Sequence, residues 1–114
     1  MTIRRWQLAH GRSVEFGAEA LVMGILNVTP DSFSDGGRYF TPESALAQAM
    51  RMREEGAAII DVGGESTRPG ARAITAEEEQ ARILPVIEAL ASGGAIVSVD
   101  TYRAETARIA VGKG

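Results

Sequence analysis

The stretch LVMGILN at residues 21–27 runs straight into Val28-Thr29-Pro30-Asp31-Ser32-Phe33-Ser34-Asp35-Gly36-Gly37. An apolar run of strand length thus ends in a polar, glycine-bearing break. The same unit returns twice. AIIDV at residues 58–62 leads into Gly63-Gly64-Glu65-Ser66-Thr67-Arg68-Pro69-Gly70, and AIVSV at residues 95–99 leads into Asp100-Thr101-Tyr102-Arg103. Apolar residues that are continuous rather than alternating indicate strands buried on both faces, as in a parallel sheet covered by helices.

A helical pattern follows each break. Thr41, Pro42 and Glu43 supply an N-cap, a proline at the first helical position and an acid in the first turn. Leu46, Ala49, Met50 and Met52 recur near helical spacing, and Gly56 stands where the helix should stop. The second helix opens with Thr75 and Glu78 at capping-box spacing and presents Ile83, Val86, Ile87 and Leu90 on one face. It ends at Gly93-Gly94, and Pro85 inside it is expected to kink it. A third helix is expected over residues 103–111, ending at Gly112. Strict strand–helix alternation predicts an α/β chain of three βα units with right-handed crossovers.

Residues 3–16 precede these units and read as two short strands around the turn-forming pair His10-Gly11. His10 is read as a turn residue on the side opposite the loops. The expected division is one partial domain over 1–114, with a hairpin at 1–17 and the βα units at 18–114. A fourth strand is expected after Gly114; a closed barrel of such units takes eight, in about 250 residues. The residues alone leave two choices open, a minimal open α/β unit or an incomplete barrel. An incomplete barrel would carry an unpaired strand edge and an uncovered apolar face, inviting association.

Composition narrows the function classes. The 114 residues are 45% hydrophobic and 24% charged, an ordinary globular balance. A net charge of -3 offers no general attraction for nucleic acid or anionic lipid, so anion chemistry must come from local arginines or backbone amides. The absence of cysteine excludes disulfides, thiolate catalysis and Cys-ligated zinc. The longest apolar run, interrupted by Gly24, is far shorter than the roughly 20 residues that span a bilayer. Arg4, Arg5 and Trp6 are not followed by the apolar region of a signal peptide, so a cytoplasmic location is expected.

All three polar segments follow C-terminal strand ends, the face where α/β proteins gather their active sites. The first segment offers hard oxygen donors suited to magnesium, and its paired glycines would let it close over a ligand. An ordinary surface loop is the alternative. In the second, Gly63-Gly64 expose backbone N–H groups, Ser66 and Thr67 add hydroxyls, and Arg68 offers a bidentate fork for an oxyanion. The alternative is a glycine turn in which Asp61 and Glu65 pair with Arg68 or with arginines of neighbouring loops. In the third, Asp100 could accept two hydrogen bonds from a guanidine-like edge of a pterin or purine, or it could simply cap the third helix.

Together the segments resemble dihydropteroate synthase. Residues 23–37, MGILNVTPDSFSDGG, look like that family's first signature, residues 61–70, DVGGESTRPG, like its second, and Ser98-Val99-Asp100-Thr101 also matches. The likeness covers residues 3 to 114, and the N-terminal hairpin is similar to the one that plugs the bottom of the family's barrel. The resemblance implies three N-terminal βα units of a (β/α)8 TIM barrel preceded by a β-hairpin, an incomplete barrel. It also implies condensation of 6-hydroxymethyl-7,8-dihydropterin diphosphate with 4-aminobenzoate, giving 7,8-dihydropteroate and diphosphate, assisted by magnesium and inhibited by sulfonamides. Asn27 would bind the metal and the leaving diphosphate, and Asp100 the pterin ring. Thr67 and Arg68, beside Ser66, would contact the diphosphate or the second substrate. Phe33, Ser34 and Pro69 would help build the aminobenzoate pocket. Asp35 would stabilise the closed first loop, Asp61 would orient the anion site, and Thr29 is placed with the substrate-contacting residues.

The departure from the family is length. The later strands, which supply further pterin and anion ligands, are missing from these 114 residues, so the chain alone is expected not to turn over substrate. The full-length family implies a homodimer. Two other readings compete, a pterin-binding methyltransferase domain and a non-catalytic paralogue that binds pterin or a partner. The Ser-Phe-Ser and Ser-Thr-Arg-Pro-Gly loops favour the synthase over the first of these.

Overall fold

The computed structural model describes residues 2–29, 41–66, 69–70 and 73–114. An antiparallel hairpin comes first: β1 (Arg4–Gln7) pairs with β2 (Ser13–Phe16), with Arg5 opposite Glu15 and Trp6 opposite Val14. A short 3-10 turn, Ala9–Gly11, joins them, with His10 in the left-handed region at φ 61°. Three βα units follow: β3 (Val22–Asn27) and α1 (Pro42–Glu54), β4 (Ala57–Gly63) and α2 (Ala76–Ser92), β5 (Ile96–Asp100) and α3 (Ala104–Lys113). The expected elements are all present, with the third helix running past Gly112 to Lys113. Pro85 lies within α2, which continues through it as one helix.

The helix starts are made as the capping residues demand. Thr41 Oγ1 accepts from the Ser44 amide at 3.1 Å, and Ser44 Oγ accepts from the Thr41 amide at 3.0 Å, a reciprocal box that satisfies two backbone donors. Thr75 Oγ1 accepts from the Glu78 amide at 3.1 Å in the same way. At the far end of α1, Gly56 takes φ +114°, a conformation a Cβ would oppose, and turns the chain back into β4.

β3, β4 and β5 form one parallel sheet in sequential order. Sequential order has no reversal point, so successive right-handed crossovers lay their helices on one side. The buried cluster confirms this placement: Leu26, Ile60 and Val62 from the sheet meet Ala45 and Ala49 of α1, Ile83, Val86, Ile87 and Leu90 of α2, and Ala110 of α3. Each large aliphatic side chain buried there contributes about 1.5–3 kcal/mol. A doubly wound sheet would carry helices on both faces, and among the described residues this one carries them on one. The arrangement is that of consecutive barrel units, open at both edges.

The hairpin is tied to the N-terminal end of the sheet, away from the loops. Arg12 Nη1 donates to the Ala95 carbonyl and Nη2 to the Gly94 carbonyl, each at 2.6 Å. His10 Nε2 donates to the Val111 carbonyl at 2.6 Å. Among the described residues, no helix is long and apolar enough to cross a membrane.

Candidate functional site

Strand register decides which side chains share a face. Gly24, Ile60 and Val97 lie side by side, as do Leu26, Val62 and Val99, and these rows face the helices. The alternate rows face the other way. Met23, Ile59 and Ile96 form the lowest, Ile25, Asp61 and Ser98 the middle, and Asn27, Gly63 and Asp100 the rim. The open face is therefore apolar at its base and polar at its C-terminal end. Asn27 and Asp100 flank Gly63 at two strand spacings, roughly 10 Å apart. A Cβ at Gly63 would lie 3.6 Å from Asp100 Cβ, so this glycine leaves the gap between the two open.

Ser98 Oγ donates to Asp61 Oδ1 at 2.6 Å, which orients the half-buried carboxylate from the neighbouring strand. Ser98 was not singled out from the sequence, although its position two residues before Asp100 places it on the same face. Asp100 is exposed at the rim and does not cap α3. The N-cap is Arg103, whose amide donates to Thr101 Oγ1 at 3.1 Å. The capping alternative for Asp100 is thereby removed.

Other expected site residues are placed as follows. Thr29 is buried at 4% exposure beside Val28, whose amide donates to the Gly63 carbonyl at 2.8 Å. Ser66 is half-buried and Pro69 is exposed in a turn. Phe33, Ser34, Asp35, Thr67 and Arg68 lie outside the described residues. A cleft of about 360 Å³ beside the rim is lined by Glu65, Ser66, Glu79, Asp100, Thr101 and Tyr102. It lies where the segment after β4 faces the segment after β5.

Arg103 organises this second locus. Its Nη1 donates to Glu65 Oε1 at 2.8 Å and lies 3.2 Å from Glu79 Oε1, while Nη2 donates to the Ile74 carbonyl at 2.6 Å and to the Tyr102 hydroxyl at 2.8 Å. Its guanidinium also stands over the Tyr102 ring, 4.6 Å from the centroid. Desolvation would raise the Glu65 carboxyl, but it is outweighed by the hydrogen bonds from Arg103 and the Ile74 amide, the Arg103 charge and the Tyr102 hydroxyl, which leave it below the usual carboxylate range. Desolvation of Arg103 is likewise outweighed by Glu65 and Glu79, and its affinity for the proton is raised. Pairing of Glu65 with an arginine of the neighbouring loop, one of the alternatives left open, is present, while Arg68 lies outside the described residues. Nothing in the sequence marks Arg103 for this task, because its partners Glu79, Ile74 and Glu65 are 24 to 38 residues away.

Gly64 owes its place to packing. A Cβ there would come within 2.7 Å of Ile83 Cγ2 and 3.3 Å of the Glu79 carbonyl, so only glycine lets the end of β4 approach α2 this closely. Arg82 Nη1 donates to the Gly64 carbonyl at 2.8 Å and holds the same turn from the helix.

A strand-end rim of this kind, on consecutive barrel units, lies on the face where barrel enzymes gather their sites. The chain belongs to the pterin binding enzyme family, whose sequence profile matches residues 23–114. It is 50% identical over 116 residues to the dihydropteroate synthase of Bacillus subtilis (strain 168), a match covering 99% of this chain and 41% of that protein. Among solved structures it is similar to Xanthomonas albilineans dihydropteroate synthase with 4-aminobenzoic acid, at TM-score 0.81 and 52% identity over 93% of this chain and 39% of that one. The Yersinia pestis dihydropteroate synthase in complex with a sulfonamide drug superposes at TM-score 0.85 and 46% identity, over 97% of this chain and 40% of that one. The chain thus spans about two-fifths of the length of these relatives. Its fold is the hairpin and three βα units of a TIM barrel.

Proposed function

We propose that this chain supplies the pterin- and diphosphate-facing part of a dihydropteroate synthase, which condenses 6-hydroxymethyl-7,8-dihydropterin diphosphate with 4-aminobenzoate to form 7,8-dihydropteroate and diphosphate. The observation that carries the reading is the rim register: Asn27, Asp61 and Asp100, distant in sequence, stand on one face at the C-terminal end of one sheet. In this reading residues 1–114 act as one partial pterin-binding domain. The whole protein works in the cytoplasm as a homodimer.

Asp100 accepts hydrogen bonds from the amino and ring N–H groups of the pterin, and Asp61, held by Ser98, orients the anion site. Thr67, Arg68 and Ser66 contact the leaving diphosphate or the aminobenzoate. Phe33, Ser34 and Pro69 line the aminobenzoate pocket, Asp35 steadies the first loop when closed, and Thr29 supports its base. Departure of diphosphate develops negative charge, so donors fixed around it favour the transition state over the ground state. The aniline nitrogen is already a neutral nucleophile, and positioning it lowers the barrel site's need for a strong base.

The donor set fits magnesium in a restricted way. Among the described residues no three His, Asp or Glu side chains are grouped to hold a metal. Asn27 presents a single neutral oxygen at the exposed rim. Magnesium commonly keeps waters and substrate phosphates and takes only one or two protein ligands, so a lone Asn27 oxygen beside a diphosphate suits it. When bound it would offset charge on the leaving group.

Calorimetric titration of the chain with pterin diphosphate and magnesium, followed by a turnover assay with 4-aminobenzoate, tests the reading. Binding that Asp100→Ala weakens about 10–100-fold is expected, with no dihydropteroate formed by the 114 residues alone. Binding indifferent to Asp100 would refute it.

A further inference from the structure

The two glycines at the end of β4 are there for different reasons. Gly64 is required by packing against Ile83, whereas a Cβ at Gly63 would meet nothing nearer than Asp100 Cβ at 3.6 Å, an ordinary contact. Gly63 also lies outside the left-handed backbone region that Gly56 and Gly70 occupy. Neither the backbone nor the packing asks for glycine at this position. What the missing side chain does is leave a notch in the open face, directly above Asp61 on the same strand and between Asn27 and Asp100 on the neighbouring ones. The Asp100 carboxylate reaches toward this notch, its Oδ2 lying 3.8 Å from where the Cβ would stand.

Below the notch, the half-buried Asp61 is already oriented. Ser98 Oγ donates to its Oδ1 at 2.6 Å, as short as hydroxyl–carboxylate bonds are, which fixes the plane of the carboxylate and leaves Oδ2 to a different donor. Asp61 and Asp100 are one strand and one two-residue step apart, roughly 8 Å on the diagonal. Two acceptors at different depths on one face suit a flat ring that presents several N–H donors along one edge. We propose that Gly63 is a specificity-determining position: its notch admits the edge of the pterin ring to Asp61, which Ser98 positions as a second acceptor beneath Asp100. The inference rests on the pterin reading of the rim and gives Asp61 a contact with the ring in addition to its part at the anion site. A methyl group at 63 would fill the notch without disturbing the strand. Loss of the Ser98 hydroxyl would leave the Asp61 carboxylate in place but free to rotate.

The test uses Gly63→Ala, Ser98→Ala and Ser98→Thr in the full chain, with Asp100→Ala alongside. Titrations compare 6-hydroxymethylpterin with 6-hydroxymethyllumazine, in which a carbonyl oxygen replaces the amino group, and urea unfolding reports on the fold. Setting an acceptor in place of a donor against a carboxylate predicts that the parent prefers the pterin at least about tenfold. Gly63→Ala should leave the urea midpoint in place, weaken the pterin about tenfold and lower that preference. Ser98→Ala should weaken the pterin about three- to tenfold, and Ser98→Thr, which keeps the hydroxyl, should stay within about twofold of the parent. A lowered urea midpoint in Gly63→Ala, equal losses of the two ligands, or a Ser98→Thr as weak as Ser98→Ala would each overturn the proposal. If Asp100→Ala weakens the pterin while Gly63→Ala and Ser98→Ala do not, the pterin reading stands and the role of the notch falls. A parent chain that binds neither ligand would remove both.

Discussion

The two faces of the β3–β5 sheet are built by the same strands and have opposite fates. Leu26 is 0% exposed and its neighbour Ile25 is 56% exposed, although both are aliphatic and adjacent in sequence. One face is filled by three helices, and the other is left to face whatever completes the barrel. Along β3 burial thus follows parity, whereas in the central strand Ile59 on the open row is also buried at 5% exposure; chemistry at the site is set by which polar residues fall on the open parity near the C-terminal end. Asp61, Ser98, Asn27 and Asp100 all do.

The comparison is broken most forcefully from the covered face. Ile60→Ala should cost about 2–5 kcal/mol, read as a lowered urea midpoint, because the three helices leave little freedom to refill the cavity. A cost below that of an exposed substitution would contradict the one-sided core. Asp100→Ala, at the rim, should leave the urea midpoint in place while weakening pterin binding about 10–100-fold by calorimetry. Gly64→Ala, where the sheet end meets α2, should lose about 1–3 kcal/mol through overpacking against Ile83.

The charge cluster sharpens the contrast further. Because the Glu65 carboxyl is held below its ordinary value, its contribution is complete above the ordinary glutamate range and is lost as pH falls through the lower, folded-state value. The Ile74 amide resonance should therefore titrate with a midpoint below that range, and Glu65→Gln should abolish the step. A midpoint at or above the ordinary value would remove Arg103 as its cause. The smallest effect belongs to the open face: Ile25→Ser should change stability by about 0.5 kcal/mol or less while reducing self-association in light scattering.

Much of this was legible in the chain. Continuous apolar runs, the caps at Thr41 and Thr75 and the breaks at Gly56 and Gly93 are local signals, since each depends on residues within a turn or two of itself. Asp100 could be named because it directly follows a buried strand and parallel strands bring their C-terminal ends together, whereas the roles of Asn27 and Asp61 came from the likeness to the family. The likeness of residues 23–37 and 61–70 to dihydropteroate synthase points to the family from the sequence alone, and the family comparison bears it out.

Only the tertiary structure decided the rest. The family likeness had already implied part of a barrel, but the residues alone left an open α/β unit possible, because the side on which each helix packs is a property of crossovers and not of any one segment. The pairing of Glu65, Glu79 and Arg103, the Ser98–Asp61 bond and the release of Asp100 from capping each join residues from different βα units or depend on where α3 begins in space. Short-range sequence patterns record backbone preference and burial period. They do not record which side chains meet once strands have chosen their register, because that choice is made by the packing of the whole sheet at once.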